Sequence, residues 1–267
     1  MNVGRSSRTP YKHWLLDSML GKVCGVLSLD HPNVPCRISN SMPLVCVDMC
    51  GGDGLVTDVH DASPSIMYHH CERLAQKGKR STLSIIEKAA STFEHLTENC
   101  SGMRGDIVTL SNADARTFVL PKLKSTQAAF IHCDPNNVDQ VPLTEPFVAT
   151  FNPFTTFIVT LGCNVGGLKM LTIEKRSEWF KYVGMLSKAL PSNHEAVLFW
   201  LNGDSNQWAY LISIPNKWSD EYVRIAIKKG SQLWPRGVSA IQYRSNKIAF
   251  KDQVSKLFLT EAEYANR

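Results

Sequence analysis

The sequence predicts an α/β chain: a mostly parallel sheet closed by an antiparallel C-terminal hairpin, with helices on both faces. Three observations carry that reading. Short continuous apolar or β-branched runs recur at 44–47, 81–86, 106–110 and 128–133, the form taken by strands that are covered on both sides. Each run ends in or near an acidic residue, and in open α/β sheets ligands bind beyond the carboxyl ends of the strands. Two later apolar runs, 196–201 and 208–214, flank a polar turn at 202–207, the pattern of a hairpin.

From the N-terminus, the apolar positions of 11–20 recur at helical spacing and suit a helix laid against the sheet, with Trp14 and Met19 as packing residues. This helix belongs to an N-terminal helical extension of about residues 1–40. The first strand ends at Asp48 and runs into Met49-Cys50-Gly51-Gly52-Asp53-Gly54. Glycines directly after a buried parallel strand let the backbone pass close to a ligand before a helix begins. Asp58-Val59-His60-Asp61-Ala62 reads as an added loop over that turn. Ser63 follows as an N-cap with Pro64 at the first helical position, opening a helix that closes near Gly78. The strand at 81–86 ends at Glu87, and that at 106–110 is followed by Asn112-Ala113-Asp114-Ala115. The strand at 128–133 ends in Asp134-Pro135-Asn136-Asn137.

Past that point, 155–161 is a strand candidate, 162–167 a glycine-rich loop, and 174–190 helical in pattern with an apolar stripe of Trp179, Phe180, Val183, Leu186 and Leu190. The hairpin strands come next. No repeat or low-complexity linker interrupts the chain, so a single domain over 1–267 is expected.

The order and spacing of these motifs resemble a class I S-adenosylmethionine-dependent methyltransferase, with its Rossmann-like fold. Asp48-x-Cys50-x-Gly52-x-Gly54 is similar to the Asp-x-Phe-Ala-Gly-x-Gly form of amino-methyltransferases and of the three-Cys-motif partner proteins. Ser63-Pro64, Ile86-Glu87-Lys88 and Ile131-His132-Cys133-Asp134-Pro135 extend the likeness to the latter over about residues 12–137. The resemblance implies S-adenosylmethionine as cofactor, with Asp48, Cys50, Gly52 and Gly54 around its methionine part. It implies Glu87 on the ribose hydroxyls, matched to a diol because a carboxylate only accepts hydrogen bonds. Asp114, with Ala115 beside it, is implied at the adenine. Read without the family, Glu87 is an acid at a helix N-terminus and Asp114 an Asx turn or cap.

In methyltransferases acting on exocyclic amines, an Asp/Asn-Pro-Pro-aromatic turn offers a side-chain oxygen and a carbonyl to the amine hydrogens, and the ring stacks on the base. Asp134, Pro135 and Asn136 are the catalytic candidates on that pattern. The chain keeps Asp134-Pro135 and has Asn136-Asn137 where the second proline and the aromatic would stand. Stacking then falls to Phe151, Phe154 or a tail aromatic, and a strand-ending turn is the bland reading.

Composition sets the remaining expectations. With 267 residues and 43% hydrophobic content the chain can bury a full α/β core. It has no long uninterrupted apolar segment, and residues 1–8 lack the apolar region of a secretory signal; a cytoplasmic protein with no membrane partner is expected. The eight cysteines are spread out with no Cys-x-x-Cys pair, so buried reduced thiols and no metal are expected. His69 and His70, adjacent on a helix, point to different sides, one surface and one core. The tail at 217–267 interleaves cations such as Lys228 and Lys229 with Trp218, Trp234 and Tyr243, a pattern that neutralises phosphates and stacks bases or else forms a solvated basic face. The reading that follows is methylation of a base nitrogen in DNA or RNA. Methylation of a small molecule or protein, and a non-catalytic nucleic-acid-binding module of the same fold, are the alternatives.

Overall fold

The computed structural model describes residues 9–28, 42–56, 61–120, 122–135, 147, 150–152, 154–162, 194–201, 208–215 and 238–243. The added loop at 58–60, Asn136 and Asn137, the glycines at 166–167, the helix over 174–190 and the basic tail apart from 238–243 lie outside the described residues. The chain packs as two compact units: Met1–Asp134 with Phe154–Phe157, and Pro135–Pro153 with Ile158–Arg267.

The first unit runs α1 (Thr9–Ser28), β1 (Leu44–Asp48), α2 (Ser63–Gln76), β2 (Ser81–Glu87), α3 (Ala90–Asn99), β3 (Val108–Asn112) and β4 (Ala128–Cys133). β1 pairs in parallel with β2 on one side and β4 on the other, and β2 pairs in parallel with β3. Every residue of β1 and β4 is buried, which is why both read as unbroken apolar runs rather than alternating ones. The register sets Asp48 opposite Ile85 and His132, and Glu87 opposite Asn112. The strands therefore end along one edge.

Helix α1 buries Leu16, Met19, Leu20, Val23 and Leu27, one face at helical spacing. It is clamped to α2 by His70 Nε2, 2.8 Å from Asp17 Oδ1. His69 is exposed and His70 buried, the split that adjacent helical positions produce. Helix α2 starts one residue earlier than its sequence suggests: Ala62, not Ser63, is the N-cap and makes no side-chain cap bond. Pro64 stays in the first turn, where its missing N–H costs nothing. Helix α3, foreshadowed only by Glu87 as an acid at a helix N-terminus, has Leu96 as its single buried residue, too little to show a period. Strand β3 begins at Val108 rather than 106, since the Arg104 carbonyl accepts from the N–H groups of Ile107 and Val108 at 3.0 Å each. The Arg104 guanidinium also grips the Asp106 carboxylate, closing a turn where the strand was expected to start.

Strand β5 (Thr155–Gly162) begins within the first unit, where the Ala129 N–H donates to the Phe154 carbonyl at 3.2 Å, and continues into the second. The second unit holds β6 (His194–Leu201), β7 (Trp208–Pro215) and β8 (Val238–Tyr243). β6 pairs antiparallel with β7, as the hairpin pattern predicts, and antiparallel with β8. β8 lies inside the segment read as tail; its short alternation Val-Ser-Ala-Ile-Gln-Tyr is too weak to stand out among charges. The fold class is α/β, mostly parallel with antiparallel C-terminal strands.

Candidate functional site

The glycine turn after β1 is tied to both neighbouring strands. The Met49 N–H donates to the His132 carbonyl and the Gly51 N–H to the Ile86 carbonyl, each at 2.9 Å. The Gly52 N–H donates to Glu87 Oε2 at 3.1 Å. Two of the glycines are required by the space. A Cβ at Gly51 would stand 2.4 Å from Ile85 Cγ2, and Gly54 has φ +67° with its Cβ position 2.8 Å from Leu96 Cδ1, so no side chain fits either position.

Asp48 is wholly buried. Its Oδ1 lies 3.0 Å from His132 Nδ1 and accepts from the Cys50 N–H at 3.4 Å. Its Oδ2 is buried with no hydrogen-bond partner. Buried carboxylate oxygens are normally satisfied, so this one is an acceptor in want of a donor.

Glu87, at the end of β2, accepts from Gly52 through one oxygen and from the Ala89 N–H through the other, at 2.8 Å. Ala89 is the N-cap of α3. Glu87 is thus both a helix-terminal acid and a wall of the glycine turn, and each carboxylate oxygen keeps a lone pair for another donor.

Asp114 is drawn to the same edge by β3. The Asn112 Nδ2 donates to the carbonyls of Glu87 at 2.8 Å and Lys88 at 3.1 Å, and the Ala113 N–H to Glu87 at 3.1 Å. Arg116 grips the Asp114 carboxylate and Lys88 Nζ lies 2.9 Å from it. Those hydrogen bonds, Arg116 first, hold its carboxyl well below the usual carboxylate range. Ala115 beside it is buried.

Asp134 follows β4. Both of its oxygens accept from Lys12 Nζ, at 3.0 and 2.9 Å, and the Lys12 side chain is only 8% exposed. Pro135 is buried. Phe151, a stacking candidate, is buried edge-to-face against Phe147 at a centroid distance of 5.4 Å, while Phe154 is half-buried. Among the described residues no group of three or more His, Cys, Asp or Glu side chains is set to hold a metal ion, and no helix is long and apolar enough to cross a membrane.

The structure therefore gathers Asp48, Cys50, Gly52, Gly54, Glu87 and Asp134 at the ends of adjacent strands, with Asp114 tied to Glu87 by the β3 end. Three contributors escaped sequence reading. Gly51 was passed over for its neighbours, though a Gly-Gly pair hints at a crowded turn. His132 sat inside a motif and was not counted as a partner of Asp48. Lys12 had a usable signal: it precedes Leu16, Leu20 and Leu27 at helical spacing, so a cation stands on the buried face.

No family model matches the chain, and no curated protein matches it. Among solved structures, it is similar to protein LPL1258 from Legionella pneumophila, at 12% identity over 92% of this chain and 99% of that one, with a TM-score of 0.59. It is also similar to a probable spermidine synthase from Corynebacterium glutamicum, at 11% identity over 93% and 79% of the two chains, with a TM-score of 0.53. Methyltransferases are among the other solved structures that match, at 9–14% identity. The likenesses to LPL1258 and to the spermidine synthase show the fold alone, a Rossmann-like α/β architecture.

Proposed function

We propose that the chain is an S-adenosylmethionine-dependent methyltransferase acting on an exocyclic amine of a nucleic-acid base, working as a single cytoplasmic domain over residues 1–267. The observation that supports it most is the buried, unpartnered Asp48 Oδ2 beneath a glycine turn walled by Glu87. An orphaned buried acceptor suits a cationic donor such as the ammonium of the cofactor's methionine part. Asp48, Cys50, Gly52 and Gly54 would hold that part, Glu87 the ribose hydroxyls, and Asp114 with Ala115 the adenine. The bound cofactor supplies an electrophilic methyl on a sulfonium. The chain's own task is then to orient a nucleophile: Asp134, through a side-chain oxygen, takes a hydrogen bond from the amine and fixes its lone pair. Lys12 holds that carboxylate in this structure, so an incoming amine has to share it or displace Lys12. Pro135 and Asn136, next in the sequence, are the other catalytic candidates.

The test is transfer of labelled methyl to DNA, RNA and lysate fractions by wild-type protein and by Asp134→Ala, which removes the side-chain acceptor. Wild-type labelling of nucleic acid, cut about 100-fold or more in the variant, is the scale for losing one transition-state hydrogen-bonding group. Transfer at the wild-type rate by a folded variant overturns the role of Asp134. Labelling of protein or small molecules alone moves the acceptor class.

One observation favours a second reading. A reaction-turn carboxylate bound through both oxygens to a nearly buried lysine is what a non-catalytic, cofactor-binding module of this fold would retain as a structural pair. Cofactor binding without transfer to any acceptor selects that reading.

A further inference from the structure

Strands β1 and β4 are neighbours, and the residues that close them set two sulfurs side by side. Cys50 Sγ lies 3.9 Å from Cys133 Sγ. The backbone beside them is tied, Met49 N–H to the His132 carbonyl at 2.9 Å. The thiols differ in access: Cys133 is wholly buried and Cys50 only partly. The hydrogen bond to Cys50, then burial and the charges of Asp134 and Asp48, push the Cys133 thiol up. It stays protonated and is a poor first target for an oxidant. Cys46 and Cys71 also share a hydrogen bond, but both are fully buried, out of an oxidant's reach.

We propose that Cys50 and Cys133 are an oxidisable dithiol, converted by a hydroperoxide to a disulfide that bridges the ends of β1 and β4. The Cys50 thiolate attacks a peroxide oxygen, the O–O bond breaks, and Cys50 becomes a sulfenic acid while the departing oxygen is protonated to water or alcohol. The Cys133 sulfur then attacks the Cys50 sulfur. The S–S bond forms, the S–O bond breaks, and the hydroxyl leaves as water with the Cys133 proton. Two thiols lose two electrons in all, and the peroxide gains them. A disulfide bond is about 2 Å long, so the sulfurs must approach by about 2 Å. Cys133 belongs to a buried central strand, whereas Cys50 opens the glycine turn; the Cys50 side is the one that yields.

The experiment uses the full chain, fully reduced and then treated with hydrogen peroxide, digested without reductant and mapped by mass spectrometry. The expected result is a loss of about 2 Da, the two thiol hydrogens, located in a peptide that joins Cys50 to Cys133 and reversed by dithiothreitol. Cys50→Ser should abolish the cross-link and leave Cys133 reduced. Cys133→Ala should let Cys50 run on to sulfinic acid. A wild-type protein in which Cys50 ends as sulfinic or sulfonic acid, pairs with another cysteine, or stays reduced while others oxidise overturns the proposal. Wild-type mapping decides the matter even where Cys133→Ala does not fold, and it needs no cofactor, so its outcome is separate from that of the methyltransferase assignment.

Discussion

Gly51 leaves no room for even one methyl group: its Cβ would fall 2.4 Å from Ile85 Cγ2, a side chain at 0% exposure. Gly51→Ala is expected to destabilise the protein by about 1–3 kcal/mol, the scale of overpacking a tight core, read as a lowered denaturant midpoint. Glu87 faces the same turn, and Glu87→Ala should weaken S-adenosylmethionine binding by about 1–3 kcal/mol in calorimetry, the scale of losing charge-assisted hydrogen bonds. No change in affinity would remove Glu87 from the cofactor site. Asp134 has a structural consequence as well as a proposed chemical one. Asp134→Ala removes the part-buried ion pair with Lys12, and equilibrium unfolding should report a loss of about 1–3 kcal/mol, the scale of a hydrogen bond between charged groups. At this scale sequence reading found the acids and two of the turn glycines, because strand ends mark them. It passed over Lys12, whose helical spacing marked it as a cation on a buried face but whose partner, 122 positions away, no local pattern names.

The elements of the first unit are joined at their ends as well as through their cores. Lys88 after β2 and Arg116 after β3 both hold Asp114, adding a charged link between two strand ends that the ladder and the Asn112 amide already join. The sign of the pH effect follows. The Asp114 carboxyl titrates lower in the folded chain than in the unfolded one, whose value is about 3.9, so its contribution to stability is present above about pH 4 and is lost as the pH falls below that. Acid titration of stability should therefore show a shallower decline below about pH 4 in Asp114→Asn than in wild type; identical curves would show that the cluster contributes nothing to folding. Element types were legible wherever burial was continuous, as in β1 and β4. They were not legible in α3, which rests one leucine on the sheet, nor in the start of β3, where the Arg104 turn outcompetes the strand.

For the whole molecule, a ligand that binds only the folded state stabilises it by about 2.7 kcal/mol at a concentration of about 100 times its Kd. S-adenosylmethionine should therefore raise the unfolding temperature in a concentration-dependent way, and Glu87→Ala should shift that dependence to higher concentration. Net charge gives a second test. The chain carries 29 Lys and Arg against 24 Asp and Glu, a small excess, so the nucleic-acid binding we propose would draw on a local basic surface. Affinity should fall steeply with salt, and charge reversal at Lys228 and Lys229 should flatten that slope, since each lost phosphate contact removes released counterions. Salt-independent affinity would exclude a phosphate-bound acceptor.

The sequence by itself determined the α/β class, the parallel strands, the C-terminal hairpin and the edge at which the acids collect. Those follow from short-range patterns: strands covered on both faces must be apolar throughout, and backbone that turns sharply beyond them must be glycine. Only the tertiary structure decided which acids have partners. Asp48 keeps one buried oxygen without a donor, Glu87 closes on the Gly52 N–H, Asp114 is held by two cations, and Asp134 is held by Lys12. Apart from Arg116, two positions from Asp114, each partner lies far from its acid in the chain, and the charge a carboxylate meets depends on packing that brings distant side chains within hydrogen-bond reach, which no local pattern records.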